Sequence, residues 1–331
     1  MINIVKKLLN GNLIQAIDLG ADGGIPVNWV TFQDLMAINA FEPNEAECKL
    51  QAMKSRGNIQ WHAVALSSET KTKKFYIPKR TTGASLFMPN FSVFERFGDD
   101  QYWGDIQEKY INCQSPSHFF KKNSIKPPDL IKLDTQGSEL DILKGINSKD
   151  FRHILAIEVE VEFVEFYEKQ PLFFDVHKFL ENLGFELIDL RTARSYYSKN
   201  NKKNYYLKKF LNAAGNSPLL GAHLVSGDAL YFRKFNINSL AKIDLFKKII
   251  IAAIYGYFDY AFYLLELSND KGRLSEDEYK IMHNFLIHKS PKLPIYCKNS
   301  FLGEIILRIG KKMGILNDNF VSWMTRRWPD S

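Results

Sequence analysis

The sequence predicts an α/β protein with a doubly wound, mostly parallel sheet of seven strands and a helical extension at its C-terminal end. Three observations indicate this fold. From Leu13 to Leu190, short apolar runs alternate with amphipathic stretches, which is typical of βα units. The first apolar run leads into a glycine-rich turn, the place where such sheets bind their ligands. After Phe235, apolar residues recur at a spacing of three to four, which indicates helices.

Seven apolar runs have the length and composition of β-strands. The runs cover residues 13–19, 35–42, 59–66, 129–134, 153–163, 185–190 and 228–233. Six of them follow one another through the alternating pattern, and the seventh returns after a polar insertion. We therefore expect all seven to join one sheet.

Helices are predicted between the strands over residues 44–57, over residues 171–184 and after Ser138. Gly57 and Gly184 mark two helix ends, because glycine readily adopts the left-handed conformation that often follows a last turn. Ser138 and Asp141 predict a capping box, since a serine oxygen can accept an N–H at the helix start while the carboxylate reaches back.

Two long segments interrupt the alternation. They are residues 67–128, with a predicted hairpin around KKFYIPK, and residues 192–227, which are rich in Lys, Asn and Tyr. Long loops in compact domains commonly serve as lids or binding segments. We therefore expect one or both of these segments to shape a binding site.

The C-terminal region is predicted to be helical over residues 240–267, 275–289 and 299–325. Its most apolar stretch, residues 249–267, contains Asp259 near its middle. A charge at that place is costly in a bilayer, so the stretch is predicted to be a buried helix and not a membrane span.

Length and composition restrict the class of protein. A chain of 331 residues fits two domains, which we place at residues 1–235 and 236–331. Its three cysteines include no CxxC pair, so neither a disulfide framework nor a zinc ribbon is indicated. Without a signal-peptide pattern, the expected location is cytoplasmic. The net charge of +7 comes largely from local lysine runs that suit a solvated loop, and no nucleic-acid partner is expected.

The glycine turn IDLGADGG selects among ligands by charge. A dinucleotide fingerprint needs glycine where Asp22 stands, and the Asp22 carboxylate would repel a pyrophosphate, which disfavours NAD. S-adenosylmethionine carries an ammonium and a sulfonium, so Asp18 and Asp22 are compatible with it. Glu42, at the end of the second strand, can accept ribose hydroxyls. The alternatives are a tight turn alone for the glycines and a helix-capping role for Glu42.

Six motifs resemble the FkbM-like methyltransferases: IDLGADGG, AFEPN, HAVALSS, IKLDTQGSELDILKG, IEVEVEF and GDALYF, in this order within residues 13–233. The block IKLDTQGSELDILKG is the most specific, matching the typical pattern I-K-x-D-x-x-G-x-E-x-x-x-L-x-G. The resemblance implies a Rossmann-like methyltransferase sheet and O-methylation dependent on S-adenosylmethionine. This chain departs from the family at Asp22, where Asn is more common, and at Gln136, where Glu is more common.

The resemblance also implies roles by position. The residues expected to bind the cofactor are Asp18, Gly20, Asp22 and Gly24 at the methionine part, Glu42 at the ribose, Ala63 beside the adenine, and also Asn44. His62 and Val64 would flank the adenine as well, although a packed histidine is the alternative for His62. Asp134 would border both the sulfonium and the acceptor.

Catalysis is assigned to Asp134, Glu158 and His62, with Asp134 as the first candidate base. Glu158, Glu160 and Glu162 alternate, so strand periodicity places them on one face, where like charges raise proton affinity. Asp134, Glu158 and Glu160 are the residues that could hold a divalent metal such as magnesium. A solvated strand edge is the alternative, and metal dependence stays open.

The expected partner is a small-molecule or glycan acceptor with a hydroxyl group. Its cleft is predicted from residues 87–110 together with Arg191, Arg194, Tyr196 and Tyr197, unless the aromatic residues only attach a loop to the core. The alternative function is an inactive binding or assembly module that recruits a partner through residues 236–331. Peripheral membrane contact by residues 305–328 belongs to that alternative.

Overall fold

The computed structural model describes residues 2–97, 102–195, 223–238 and 240–290. Its contacts group the chain into two compact units. Ile14–Gly24 and Ala37–Asn236 form one, here called the sheet unit. Met1–Leu13, Ile25–Met36 and the residues from Ile237 onward form the other, here called the helical unit. Two N-terminal segments thus group with the C-terminal helices, while the assignment of separate roles to residues 1–235 and 236–331 stays a prediction.

The sheet unit is built on seven strands, which confirms the predicted fold class. They are β1 Ile14–Leu19, β2 Met36–Phe41, β3 Ile59–His62, β7 Leu130–Leu133, β8 Ala156–Glu162, β9 Phe185–Ser195 and β10 His223–Arg233. Their order across the sheet is β3-β2-β1-β7-β8-β10-β9. Parallel pairs join β2 to β3, β1 to β7 and β7 to β8, whereas β10 runs antiparallel to both β8 and β9.

A second sheet of three strands lies in the segment that interrupts the alternation. Its order is β4-β6-β5, formed by β4 Ala65–Leu66, β5 Lys71–Ile77 and β6 Gln107–Gln114. The predicted strand over residues 59–66 is therefore divided between two sheets. At the hairpin predicted around KKFYIPK, Tyr76 forms a local antiparallel bridge with Ser85, but the main partner of β5 is the distant β6, which pairs with it along its whole length.

Helices of the sheet unit flank these strands. They are α3 Glu45–Lys54, α4 Phe91–Phe97, α5 Pro116–Lys122, α6 Glu139–Lys144, α7 Ser148–Phe151 and α8 Phe173–Asn182. The Asn44 side chain begins α3 by accepting the N–H groups of Ala46 and Glu47. Gly184 follows α8 with φ of +81°, as predicted for that helix end.

The capping box predicted for α6 was wrong. The Ser138 hydroxyl donates to the carbonyl oxygen of Thr135 at 3.1 Å and caps no helical N–H. The Asp141 carboxylate instead accepts the N–H of Ser68 and the Nζ of Lys73, the latter at 2.8 Å. The reason is that Ser138 has φ of −99° and ψ of 8° instead of the extended backbone typical of an N-cap.

The core of the sheet unit explains why its central strands are nearly continuous apolar runs. All four residues of β7 are buried, and Phe119, Phe151 and Phe185 pack in the same cluster as its side chains. Parallel strands covered on both faces leave no solvent-facing side for polar residues. A charged side chain within such a strand, such as Lys132, therefore needs a partner.

The helical unit contains α1 Ile2–Leu8, α2 Val27–Val30, α9 Lys242–Ile254, α10 Phe258–Asp270 and α11 Glu276–Lys289. The helix predicted over residues 240–267 is two helices, separated at Gly256, whose φ is +80°. Ser275 and Glu278 form a capping box at the start of α11. None of the helices in the described ranges is long and apolar enough to span a bilayer. The helix predicted over residues 299–325 lies outside those ranges.

Candidate active site

The glycine turn after β1 is enclosed by the ends of its two neighbouring strands. The N–H groups of Gly20 and Ala21 both donate to the carbonyl of Phe41 at the end of β2, each at 3.1 Å. On the other side, the Asp134 N–H donates to the Leu19 carbonyl at 2.9 Å. Gly20 has φ of +81°, and a Cβ placed there would lie 1.8 Å from the Asp134 carbonyl oxygen. Position 20 therefore requires glycine for two independent reasons.

Asp18 presents a buried carboxylate beside this turn. Its side chain is 1% exposed, and neither carboxylate oxygen has a hydrogen-bond partner. The nearest cation is the Nζ of Lys132, whose 3.8 Å separation from Oδ1 is too long for a hydrogen bond. Burial raises the pKa of Asp18 to about 6, although Lys132 lowers it. A buried carboxylate with unused acceptors favours a ligand that carries N–H groups and positive charge.

Glu42 lies at the end of β2 and is also buried. Its Oε1 accepts the backbone N–H of Asn44 at 2.7 Å, and burial raises the pKa of Glu42 to about 7. Oε1 thus supports the turn that begins α3, which agrees with the capping role considered for Glu42. Oε2 takes no part in that hydrogen bond. Asp22 and Asn44 are exposed, and Gly24 is half-buried with φ of +115°.

His62 at the end of β3 is packed among aromatic rings. Its Nε2 lies 2.9 Å from the Oδ1 of Asn39, and its ring contacts Phe41 and Phe119. Burial lowers the pKa of His62, which favours the neutral ring. These contacts agree with the packed histidine that the sequence left as an alternative. Ala63, the next residue, is exposed.

Six carboxyl groups gather near the carboxyl ends of β7 and β8, and we call them the carboxyl cluster: Asp134, Glu139, Glu158, Glu160, Glu162 and Asp228. Glu158 and Glu162 are 2% and 4% exposed, so the solvated strand edge considered for β8 was wrong. The reason is that β8 lies between β7 and β10 inside the sheet. Burial and neighbouring carboxylates raise the pKa values of Glu160 and Glu162 well above the ordinary value for glutamate.

Lys132 supplies positive charge to this cluster, and the sequence analysis missed it. Its Nζ lies 3.6 Å from Asp134 and 3.8 Å from Asp18. Burial would raise the pKa of Asp134, but Lys132 and hydrogen bonds from Glu160 and Gln136 hold it below its ordinary value. The signal was a lysine in the middle of the buried apolar strand LIKL, where an unpaired ammonium would be costly.

Gln136 is the second residue that sequence reasoning left without a role. Its Nε2 donates to the Oδ1 of Asp134 at 3.0 Å and to the Oε2 of Glu160 at 2.8 Å. A glutamate, the residue that the resemblance implies at this position, would offer acceptors to those carboxylates instead of donors. The departure noted in the sequence therefore changes the chemistry beside Asp134.

Asp134, Glu158 and Glu160 are the residues that the sequence offered as ligands for a divalent metal, while it left metal dependence open. Among the residues that the structure describes, no three His, Cys, Asp or Glu side chains are grouped so that they could hold a metal ion. Glu158 instead forms an ion pair with Arg191, whose Nη2 lies 3.1 Å from Oε1. Glu160 is bound to Asp134 and Gln136.

Part of the predicted acceptor cleft is packed into the sheet unit. The Phe94 and Trp103 rings stack at 3.9 Å with an interplanar angle of 11°, and Phe94 also stacks on Phe166. Trp103 contacts Gly83 so closely that a Cβ there would lie 2.4 Å from the indole. For these residues, the structure agrees with the alternative of a loop attached to the core. Tyr196 and Tyr197 and the side chain of Arg194 lie outside the described part, so the cleft stays a prediction.

Residues 26–187 match the family model described as the methyltransferase FkbM domain, a match that begins after the glycine turn and ends within β9. No curated protein matches. Three solved structures are similar at a low level. A FkbM methyltransferase from Methylobacillus flagellatus is 13% identical with a TM-score of 0.35, and the match covers 67% of this chain and 44% of that one.

A Streptococcus agalactiae protein of the NAD-binding Rossmann superfamily is 11% identical with a TM-score of 0.29, covering 86% of this chain and 93% of that one. A candidate tRNA (m1A22) methyltransferase from Streptococcus pneumoniae is 10% identical with a TM-score of 0.29, covering 86% and 94%. The chain thus spans less than half of the Methylobacillus flagellatus chain. Residues 26–187 of this chain are therefore similar to the FkbM methyltransferase domain.

Proposed function

We propose that this protein is an O-methyltransferase that uses S-adenosylmethionine to methylate a hydroxyl group on a sugar, glycan or secondary metabolite. The observation that carries the proposal is the buried Asp18 carboxylate, whose two oxygens have no hydrogen-bond partner, beside the glycine turn of a methyltransferase family member. Buried acceptors without partners are rare in folded proteins and commonly serve a ligand.

The residues around the turn fit the donor in charge and space. Asp18 would bind the ammonium of its methionine part, and Glu42 would accept the ribose hydroxyls. The turn leaves open space above it, since a Cβ at Gly23 would meet nothing within 4 Å. Asp22 adds an exposed negative charge that disfavours a pyrophosphate there. When bound, S-adenosylmethionine supplies a methyl group on a positively charged sulfur.

Asp134 is the residue proposed to accept the proton of the acceptor hydroxyl. It stands at the end of β7, next to Gly20, and Lys132 and Gln136 hold its carboxyl in the ionised form that a base requires. Glu158 lies in an ion pair with Arg191, which supports a positioning role for it within the cluster. His62 is proposed to line the adenine side through its packed ring.

Calorimetric titration with S-adenosylhomocysteine tests the donor site. Wild-type protein is expected to bind, and Asp18→Asn and Glu42→Gln are expected to bind at least 10-fold more weakly, roughly one lost charge-assisted hydrogen bond each. Glu45→Gln, a change at an exposed carboxylate on α3, is the matched control and should bind as wild type does. A folded wild-type protein that binds no S-adenosylhomocysteine contradicts the proposal and supports the binding-module alternative.

Labelled methyl transfer to fractionated glycans and small alcohols tests the acceptor side. Asp134→Asn should keep S-adenosylhomocysteine binding and lose turnover by about 10² to 10⁴-fold, the usual contribution of a general base. Wild-type turnover in this variant would remove Asp134 from the base role. Transfer to nitrogen or sulfur acceptors alone would refute O-methylation.

A further inference from the structure

Gln136 hydrogen-bonds to four residues of the sheet unit through its side chain and its backbone carbonyl. Its Nε2 donates to Asp134 and Glu160, and its Oε1 accepts the Tyr167 hydroxyl at 2.8 Å. Its backbone carbonyl accepts the Ser85 hydroxyl at 2.6 Å. Each polar atom of the Gln136 side chain thus takes part in at least one hydrogen bond.

The backbone at Gln136 is held in an uncommon conformation. Its φ is +57°, in the left-handed region that residues other than glycine rarely adopt. Such strain persists only when surrounding contacts enforce it, and it concentrates at functional sites. Here the Ser85 bond to the carbonyl and the Gly137 that follows, with φ of +97°, help to hold the turn.

The partners of Gln136 explain why an amide suits this position. The Asp134 and Glu160 carboxyl groups both accept from the same amide nitrogen, so they share a small, part-buried space. An amide nitrogen offers one N–H to each of them while its oxygen accepts from Tyr167. Glutamate would place a third carboxyl group there, and methionine would leave both carboxyl groups short of a donor.

We propose that Gln136 is a positioning residue, which fixes the Asp134 carboxylate against Glu160 and anchors both to Tyr167 and Ser85. The proposed geometry stands on the hydrogen bonds alone, whereas its consequence for methyl transfer rests on the function proposed above. Gln136 itself is assigned no contact with the donor or the acceptor. Its loss should therefore lower the rate of the chemical step and leave donor binding unchanged.

Two near-isosteric variants, Gln136→Met and Gln136→Glu, separate positioning from packing. In the labelled-methyl assay with the best acceptor fraction, Gln136→Met should lose kcat by on the order of 10 to 100-fold at nearly constant KM, the scale of a misplaced catalytic group. Gln136→Glu should lose at least as much, because it adds charge and removes both donors. A pure packing role would leave both variants close to wild type. Gln60→Met, at an exposed glutamine on β3, is the control.

A second measurement requires neither donor nor acceptor. In nitrogen-15 NMR spectra, the side-chain amide of Gln136, assigned by its disappearance in Gln136→Met, should exchange its protons with water at least 10-fold more slowly than exposed glutamines do. Fast exchange of this amide would overturn the proposal, whatever the protein methylates.

Titration with S-adenosylhomocysteine distinguishes failure of the proposed function from failure of the positioning role. If wild type binds no S-adenosylhomocysteine while the Gln136 amide is protected, the proposed function fails and the positioning geometry stands. If all variants bind S-adenosylhomocysteine and turn over as wild type does, the proposed function stands and the positioning role is refuted.

Discussion

At the scale of single residues, Lys132 balances charge between the two halves of the candidate site. Its ammonium lies within 4 Å of Asp18, on the proposed donor side, and of Asp134, on the proposed acceptor side. A buried ion pair is weak evidence for stability, because desolvation offsets much of the attraction. Its effect here is to let the buried Asp18 and the half-buried Asp134 lie close together. Because both acids face the same cation, a change of charge at one affects the pKa of the other.

The raised pKa values of Asp18 and Glu42 predict that these groups stabilise the protein more at low pH. Burial raises the pKa of Asp18 from 3.8 to about 6 and that of Glu42 from 4.5 to about 7. The unfolded chain therefore loses these protons at lower pH than the folded protein does. Their contribution to the free energy of unfolding is complete below about pH 4 and is lost as the pH rises through 6 to 7.

Urea unfolding at pH 5 and at pH 8 checks this prediction in ligand-free protein. Glu42→Gln should reduce the loss of stability between the two pH values by about 1 to 3 kcal/mol relative to wild type, since each unit of pKa corresponds to about 1.4 kcal/mol. Glu45→Gln should leave the difference unchanged. An equal pH dependence in wild type and Glu42→Gln would show that Glu42 ionises normally.

At the scale of elements, the conformation of the glycine turn after β1 depends more on Gly20 than on the other glycines of the turn. Gly20→Ala places a methyl group against the Asp134 carbonyl and strains a left-handed backbone. Gly23 has a similar φ of +78°, but a methyl group there meets nothing within 4 Å. We expect Gly23→Ala to cost about 1 to 2 kcal/mol of stability, from backbone strain alone.

Gly20→Ala is expected to cost at least about 2 kcal/mol more than Gly23→Ala, because the ends of β1 and β7 must separate to admit the methyl group. The free energies of unfolding in urea give the comparison. S-adenosylhomocysteine binding should weaken in Gly20→Ala to a greater extent as well. Equal costs for the two variants would mean that the turn and β7 are not closely packed.

At the scale of the whole molecule, the helical unit is assembled from both ends of the sequence. Trp29 is fully buried, and its Nε1 donates to the Tyr255 hydroxyl at 3.3 Å. The Phe32 and Phe285 rings meet edge to face. Deleting the C-terminal helices would therefore also remove the side chains against which residues 25–36 pack.

Deleting residues 237–331 is expected to leave residues 25–36 open to proteolysis, because their aromatic side chains lose their buried contacts. Limited proteolysis with mass spectrometry should detect early cleavage there. Deleting residues 291–331 is the control, since it keeps every contact of α9 to α11 described above. Protection of residues 25–36 in the longer deletion would show that the N-terminal segments fold without the helices.

Much of the fold was predictable from the sequence, because each prediction rested on local periodicity. Five of the seven strands lie within their predicted runs, β9 and β10 each extend five residues beyond theirs, and α3, α8 and α11 lie within their predicted segments. The exceptions have local causes that the pattern did not reveal. Residues 59–66 divide between two sheets, and the Ser138 backbone rules out the capping box. Asp18 and Asp22 became candidate ligand-binding residues because their negative charge suits a cationic ligand, an inference that requires no structure.

The sequence by itself determined most strands of the sheet, the glycine turn and the resemblance to the FkbM methyltransferases, because these depend on periodicity and on short motifs. Only the tertiary structure decided which charges meet: Lys132 with Asp18, Arg191 with Glu158, and Gln136 with Asp134 and Glu160. The physical reason is the separation along the chain over which each kind of interaction acts. Periodicity acts between residues a few positions apart, whereas ion pairs and side-chain hydrogen bonds join strands that come together only when the sheet forms.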